Sequence, residues 1–536
     1  MRTPYVPAAT RRVLCVYPEY ARSFGTFQHA YPFFGGRVRA FMPPQGLLVV
    51  AAYLPERWDV RIVDENARRV SADDLRWADV VFVSGMHVQR PHIHDLIARA
   101  HAAGRPVVLG GPSVSGCPEF YEDADILHVG ELGDATDRLI EHLDQHPGRP
   151  RRQLRFETER RLPLADFPTP AYERIRLREY FIASIQFSSG CPYACEFCDI
   201  PALYGKNPRL KTPEQICREL DVIAAAGATS VYFVDDNFIG NQKAALELLP
   251  HLVAWQERNR FPLRFACEAT LNIAKNERVL QLMREAGFIT VFCGIETPDP
   301  HALRFMSKDQ NLRMPILDAV RRLNDHGLEV VSGIILGLDT DTPETADHLL
   351  EFIRESRIPL LTINILYALP KTPLWRRLEA EGRLRPDAGR QSNVEFLLPY
   401  EQVIGMWRRC ITAAYEPEAL YARFAHQVAH TFVRRRAFPT SPQRASWANV
   451  RMGLAMLARV LWRIGVRGDY RRTFWRLAWP ALRAGRIEAL IHVAVVGHHL
   501  IEFTRDCVRG LGESSFYAPG SAVPTEGPRT PTAVAG

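Results

Sequence analysis

Short runs of β-branched and other apolar residues, at 13–17, 60–64, 80–84, 107–111 and 126–130, punctuate the first 145 residues. Between them, pieces such as 46–54 and 93–103 repeat apolar positions at helical spacing. Strands alternating with amphipathic helices predict a parallel sheet, a Rossmann-like α/β domain over residues 1–145. Small residues follow the strand ends, in Ser84-Gly85, Gly110-Gly111-Pro112-Ser113 and Gly130-Glu131. Open α/β sheets bind their ligands at those carboxyl ends.

Residues 146–180 turn basic and proline-containing, which reads as a linker. The alternation then resumes, with strand-like runs at 182–187, 230–234, 265–268, 291–295, 330–336 and 361–366. Six such units predict a partial βα barrel over 181–399, with its chemistry at the strand C-termini. From 400 to 512 strands give way to helical, arginine-rich sequence. Residues 513–536, rich in proline, alanine and threonine, read as a disordered tail.

At 536 residues the chain is too long for one hydrophobic core. Its 47% apolar and 24% charged residues fit a folded, soluble class and exclude a disordered one. Residues 1–10 lack a basic stretch followed by an apolar one, so no signal peptide and a cytoplasmic location are expected. The apolar stretch 489–503 is broken by His492, His498, His499 and Glu502 and falls short of the roughly 20 residues of a membrane span, so none is expected.

Charge changes the picture at the C-terminus. Residues 451–510 carry 11 arginines against Asp469, Glu488, Glu502 and Asp506, an excess equal to the formal +7 of the whole chain. Arg459, Arg463 and Arg467 share one helical face, Leu454, Leu457, Leu461 and Ile464 the other, with Trp462, Trp475 and Trp479 interleaved. Such helices either pack on the barrel with their arginines in water or dock on an anionic membrane surface as a peripheral contact. Base-stacking platforms and RNA modules are missing, so no nucleic-acid partner is expected.

Seven of the ten cysteines, Cys15, Cys117, Cys217, Cys267, Cys293, Cys410 and Cys507, are scattered and read as small buried residues. Cys191, Cys195 and Cys198 fall within eight residues, directly after the first strand of the second unit. Soft thiolates select zinc or iron-sulfur centres, but structural zinc takes four ligands and no fourth Cys or His follows at suitable spacing. Three thiolates leave one iron of a [4Fe-4S] cluster open.

The Cys-x-x-x-Cys-x-x-Cys spacing, with Phe197 before the last cysteine, resembles the radical S-adenosylmethionine (SAM) signature. The resemblance implies a [4Fe-4S] cluster on Cys191, Cys195 and Cys198. It also implies SAM on the open iron, a 5'-deoxyadenosyl radical, and an external electron donor such as flavodoxin or ferredoxin. Asp235, Asp236 and Asn237 stand where that superfamily's amino-group motif falls. Glu268 and Glu296 end the next strands, and Gly333 and Gly337 resemble its adenine-side glycines.

The first domain resembles a cobalamin-binding domain, which implies cobalamin at Ser84, Gly85, Gly110, Gly111, Ser113, Gly130 and Glu131. The Asp-x-His-x-x-Gly motif that ligates cobalt is absent, since Asp64 is followed by Glu65, Asn66 and Ala67. His87 and His94 are the alternative ligands, although such loop histidines are more often plain polar surface. Cobalamin beside a radical SAM core implies methylation of an unreactive carbon. One SAM would methylate cob(I)alamin, a second would generate the radical, and methylcobalamin would supply the methyl group.

Segments 39–48, 83–90, 187–193, 233–241 and 368–374 resemble the bacterial hopanoid C-2 methylase family, a likeness running from about Arg11 to Tyr517. It implies a membrane hopanoid such as diploptene or diplopterol as substrate, methylated at carbon 2 of its A ring. The rivals are a cobalamin-dependent radical SAM methylase of another lipid or metabolite, a methylthiolating tRNA enzyme, and a cobalamin sensor without catalysis. The tRNA enzyme would need a second cluster, and the first domain holds only Cys15 and Cys117.

Overall fold

The computed structural model describes residues 10–146, 148–386, 390–437 and 447–511. The segment read as a disordered tail lies outside these residues. The first sheet is wholly parallel, in the order β2-β1-β3-β4-β5-β6. Its strands are β1 (Arg12–Tyr17), β2 (Asp59–Asp64), β3 (Val80–Ser84), β4 (Val107–Gly110), β5 (Ile126–Val129) and β6 (Leu154–Glu157).

Period-two alternation sends Leu14, Val16, Val81, Val83 and Leu109 to one face and Val13, Cys15, Val80, Phe82 and Val108 to the other. Helices cover both faces, so both sets are buried, as a parallel sheet requires. The expected helices run Gln45–Tyr53 and Arg90–Ala102.

The segment read as a linker is largely built into the fold. Residues 154–157 form β6, and beyond it Leu162 N donates to Leu132 O (2.8 Å). Tyr172 is buried, and its hydroxyl donates to Ser184 O at 2.7 Å. Arg174 Nη1 reaches Val60 O at 2.7 Å, stitching the first sheet to the second unit. An edge strand with one partner needs little apolar content, which is why Leu154 and Phe156 among arginines did not announce it.

The second sheet is also parallel, in the order β14-β13-β12-β11-β10-β7. Its strands are β7 (Ala183–Ile185), β10 (Ser230–Phe233), β11 (Arg264–Glu268), β12 (Phe288–Glu296), β13 (Glu329–Leu336) and β14 (Leu360–Ile365). Sequential order with a helix between neighbours gives a partial barrel. A two-stranded antiparallel pair, β8 (Ser188–Ser189) and β9 (Arg209–Leu210), was not foreseen.

Along β12 and β13 alternate residues face inward. Thr290, Phe292, Gly294 and Glu296, with Glu329, Val331, Gly333 and Ile335, line the interior, while Val291, Cys293, Ile295, Val330, Ile334 and Leu336 pack in the core.

The C-terminal region is helical, including Tyr400–Ala414, Pro417–His426, Trp447–Val460, Arg471–Arg483 and Ile487–Val508. The last corrects the expectation of a stretch too short to span. It has 22 residues, long and apolar enough by length and composition to cross a membrane, and 61% of its most apolar window is buried in the fold. The histidines do not end it because each finds a partner. His492 Nε2 meets Glu329 Oε2 (3.0 Å), His498 Nδ1 meets Tyr470 Oη (2.6 Å), and His499 Nε2 meets Phe24 O (3.1 Å).

Candidate active site

After β7 the chain passes through β8 and Gly190 into the loop carrying the three cysteines, and β9 returns beside β8. Gly190 has φ +100°, and a Cβ there would lie 2.8 Å from Gly205 O, so only glycine fits. Backbone bonds set the loop: Cys191 N to Gly205 O (3.1 Å), Cys198 N to Cys195 O (3.1 Å) and Glu196 N to Met306 O (2.9 Å). Two side-chain amides aim donors at sulfur, Gln310 Nε2 at Cys195 Sγ (3.3 Å) and Asn237 Nδ2 at Cys191 Sγ (3.9 Å).

This donor set fits a cluster. Thiolates sharing one zinc, with bonds of about 2.3 Å, lie only ~3.8 Å apart. Among the described residues no three His, Cys, Asp or Glu side chains converge as one ion requires. A cubane takes each thiolate on a different iron and spreads them further. Burial pushes the Cys191 and Cys198 thiols up, so the bare protein holds protons there that a cationic centre displaces.

The acidic residues of the next strand ends divide. Asp235, fully buried, accepts from Phe187 N (3.4 Å) and Ser188 N, and Asp236 accepts from Gly190 N (2.7 Å), so both clamp the cysteine loop. Asn237 lies behind the cavity wall, bonded to Thr270 as well as to sulfur. Burial raises Asp235 to about 7, Asp236 to about 6 and Glu268 to about 7. Tyr232 Oη donates to Glu268 at 3.3 Å. Three raised carboxyls facing one cavity suit a cationic ligand such as SAM.

Glu296 sits at φ +67°, a strained conformation for a non-glycine, and pairs with Lys308 Nζ. Beside it Gly294 and Gly333 are in register on adjacent strands, leaving bare backbone. A Cβ on Gly294 would meet the Glu296 carboxylate and come within 2.8 Å of Lys308 Nζ, whereas on Gly333 its nearest neighbours are 3.5–3.6 Å away. Gly337 departs from expectation. It lies past the end of β13 and faces Phe396, outside the cavity, because the inward alternation stops at Ile335.

The carboxyl ends of the first sheet open onto the same cavity, of about 1000 Å³. Ser84, Gly85, Gly110, Gly111, Gly130 and Glu131 line it. A Cβ on Gly111 would stand 2.6 Å from Ser84 Oγ, so bare backbone packs closely and leaves a surface suited to a broad, flat group such as a corrin. Ser113 does not line it. The short helix Pro112–Gly116 turns Ser113 towards Tyr121, and Ser115 takes its place, accepting from Gly130 N at 2.9 Å.

His94 also drops out, since its Nδ1 meets Asp123 Oδ2 at 2.8 Å on the surface. His87 lines the cavity, its Nε2 3.3 Å from Tyr367 Oη. Sequence reasoning missed Tyr17, Tyr20 and Met86 on the same wall, which His128, at the end of β5, also lines. Tyr17 ends β1 and Tyr20 follows it, so the strand-end rule would have found both.

Glu131 does more than line the cavity. Its carboxylate accepts from Arg209 Nη2 (2.7 and 2.5 Å) on β9 and lies 3.2 Å from Arg161 Nη1, tying the first sheet to the cysteine hairpin. A third side is apolar, with Phe24, Phe27, Phe41, Phe181 and Val496. Phe27 stacks on Phe41 (5.2 Å) and Phe181 (5.6 Å).

Three sequence families match successive parts of the chain. The B12 binding domain covers residues 33–140, the radical SAM superfamily 185–353, and a domain of unknown function, DUF4070, 372–513. Hopanoid C-2 methylase of Rhodopseudomonas palustris (strain TIE-1) is 60% identical over 521 residues, 96% of this chain and 98% of that protein. The uncharacterized methyltransferase sll1242 of Synechocystis sp. (strain ATCC 27184 / PCC 6803 / Kazusa) is 34% identical over 513 residues, 94% of each chain.

Among solved structures, the cobalamin-dependent S-adenosylmethionine radical enzyme OxsB with aqua-cobalamin bound superposes with a TM-score of 0.57 at 14% identity, covering 95% of this chain and 82% of that one. The radical SAM methyltransferase TsrM from Kitasatospora setae gives 0.55 at 18% identity, covering 70% and 75%. These structures share the fold.

Proposed function

Because the chain belongs to the hopanoid C-2 methylase family of B12-binding radical SAM enzymes, we propose that it adds a methyl group to carbon 2 of the A ring of a hopanoid. It is a radical SAM methyltransferase that works with a [4Fe-4S] cluster, SAM and cobalamin. When bound, these groups supply a radical that removes hydrogen from an unactivated carbon and a methyl group to replace it.

Cys191, Cys195 and Cys198 would hold the cluster, with Gln310 and Asn237 donating to two of the sulfurs. Asp236, Glu268 and Glu296 line the side on which SAM would lie; its sulfonium and ammonium groups would draw Asp236 and Glu268 into the charged form, while Glu296 is already met by Lys308. Gly85, Gly110, Gly111 and Gly130 offer bare strand ends to cobalamin. The phenylalanine wall is apolar, suits a fused hydrocarbon ring system and offers a radical intermediate only strong aromatic C–H bonds near its rings.

One observation carries the reading: the cysteine loop, the first sheet's strand ends and the phenylalanine wall share one cavity. The electron enters from an external donor such as flavodoxin or ferredoxin. The protein works at the cytoplasmic face of the membrane that holds its substrate.

Expression in a hopanoid-producing host without 2-methylhopanoids tests this, with lipids read by mass spectrometry. A 2-methylated hopanoid is expected. Its absence, with cluster-loaded enzyme present and cleaving SAM, would exclude the hopanoid and leave methylation of another lipid or metabolite.

A further inference from the structure

Thirteen large apolar side chains are exposed among the described residues, and nine of them lie between 447 and 511. They are not scattered there. Trp447, Val450, Leu454, Trp462 and Val466 recur at three- or four-residue steps or their double, with exposed Ala458 filling the gap, and so share one face of the helical segment 447–466. Trp447 is 75% exposed, Leu454 57% and Trp462 53%.

The opposite face is the one that packs. Val460 and Ile464 are buried, Arg459 Nη1 donates to Phe33 O (3.2 Å), and the Arg463 guanidinium stands 5.8 Å from the Phe33 ring centre. Part of the arginine row expected in water thus faces the protein, while part of the leucine row faces out.

We propose that this face docks on an anionic lipid bilayer, with Trp447, Leu454 and Trp462 entering the headgroup boundary. Charge favours that occupant. Arg451 and Arg467 are exposed on the same segment and Arg471, Arg472 and Arg483 on the next helix, against the exposed Glu488, while Asp469 and Glu502 are both bound by Arg505. Arg467 lies 5.0 Å over Trp462 and Arg483 4.8 Å over the half-exposed Trp479, an amphipathic pairing suited to a bilayer interface. A second copy would bring like charge against like.

The helix that bears the docking face is linked to the active cavity through its packed side. It packs on residues 31–34, Phe34 meets Phe181 edge-on (5.5 Å), and Phe181 stacks on Phe27 of the cavity wall. Docking there holds the apolar wall of the cavity near the bilayer, one helix away, which would shorten the path of a lipid between the two. That last role rests on the lipid substrate proposed above. The docking itself does not, and phospholipid vesicles free of hopanoid test it separately.

Full-length, cluster-loaded protein is floated with vesicles of phosphatidylcholine alone or mixed with phosphatidylglycerol. Flotation with the anionic vesicles, weakened by salt, is expected. Leu454→Glu/Trp462→Glu should lower vesicle partition on the order of a hundredfold while leaving SAM cleavage in lipid-free buffer unchanged. Arg467→Gln/Arg471→Gln/Arg472→Gln should lower it on anionic vesicles only. Wild-type protein that stays off anionic vesicles, or an apolar-face variant that floats as well as wild type, would overturn the proposal. So would a dimer in equilibrium sedimentation that the same variant dissolves, since the face would then bind a second copy.

Discussion

Replacing Lys308 by methionine isolates the buried ion pair at the end of β12. The Lys308 and Glu296 side chains are only 7% and 10% exposed. Burial works against the ammonium, yet the Glu296 carboxylate outweighs it and holds the Lys308 pKa above its ordinary value. At an effective dielectric near 20, a contact of ~4 Å is worth about 4 kcal/mol. Removing one partner strands the other charge at a cost of about 3–5 kcal/mol.

Lys308→Met and Glu296→Gln should each fall in that range. The double variant should cost less than their sum by about 2 kcal/mol or more. The chain has several domains, so a global unfolding midpoint would blur the effect. Hydrogen exchange of peptides covering residues 288–311, in cofactor-free protein at neutral pH, reads the local opening energy instead. Additivity of the two single effects to within about 0.5 kcal/mol would refute the coupling, and with it the account of how Glu296 is held in its strained conformation.

Gly190→Ala should cost roughly 1–3 kcal/mol at its positive φ and reduce bound iron, and a variant that loads iron fully would show that the loop has slack. Cys195→Ala should abolish both the iron-sulfur absorbance and 5'-deoxyadenosine formation, and undiminished 5'-deoxyadenosine would contradict the cluster ligands. Asp235 and Glu268 stand at about 7 in the fold against ordinary values of 3.8 and 4.5, so the folded state keeps protons that the unfolded chain gives up. Their contribution is fully present below those ordinary values and is lost as pH rises through about 7. The local opening energy of peptides covering residues 230–236 and 264–268, read by hydrogen exchange of cofactor-free protein with intrinsic rates corrected for pH, should therefore fall between pH 5 and 8, and a rise across that window would contradict the assignment.

Much of the architecture is written locally. The runs at 13–17, 80–84 and 330–336 coincide with β1, β3 and β13 to within a residue or so, because buried parallel strands need unbroken apolar stretches. The three cysteines and the glycines at the strand ends carry their chemistry in spacing alone. What escaped depends on direction or on distant partners. Ser113 and Ser115 are two residues apart, and only the helix beginning at Pro112 decides which one reaches the cavity. His94 belongs to a helix, and Asp123, nearly thirty residues on, takes its ring. Arg459 turns inward because Phe33, more than four hundred residues away in sequence, offers a carbonyl. No local pattern encodes that meeting.

The two bare wall positions, Gly294 and Gly333, are unequal in what they permit. A methyl group at 333 finds ordinary contacts at 3.5–3.6 Å, whereas one at 294 runs into the pair formed by Glu296 and Lys308. Of these two positions, 333 is therefore the one at which the chamber can be trimmed without touching the buried charge pair. Relatives fitted to slimmer molecules can carry a small side chain there, whereas one at 294 would also have to re-seat Glu296 and Lys308.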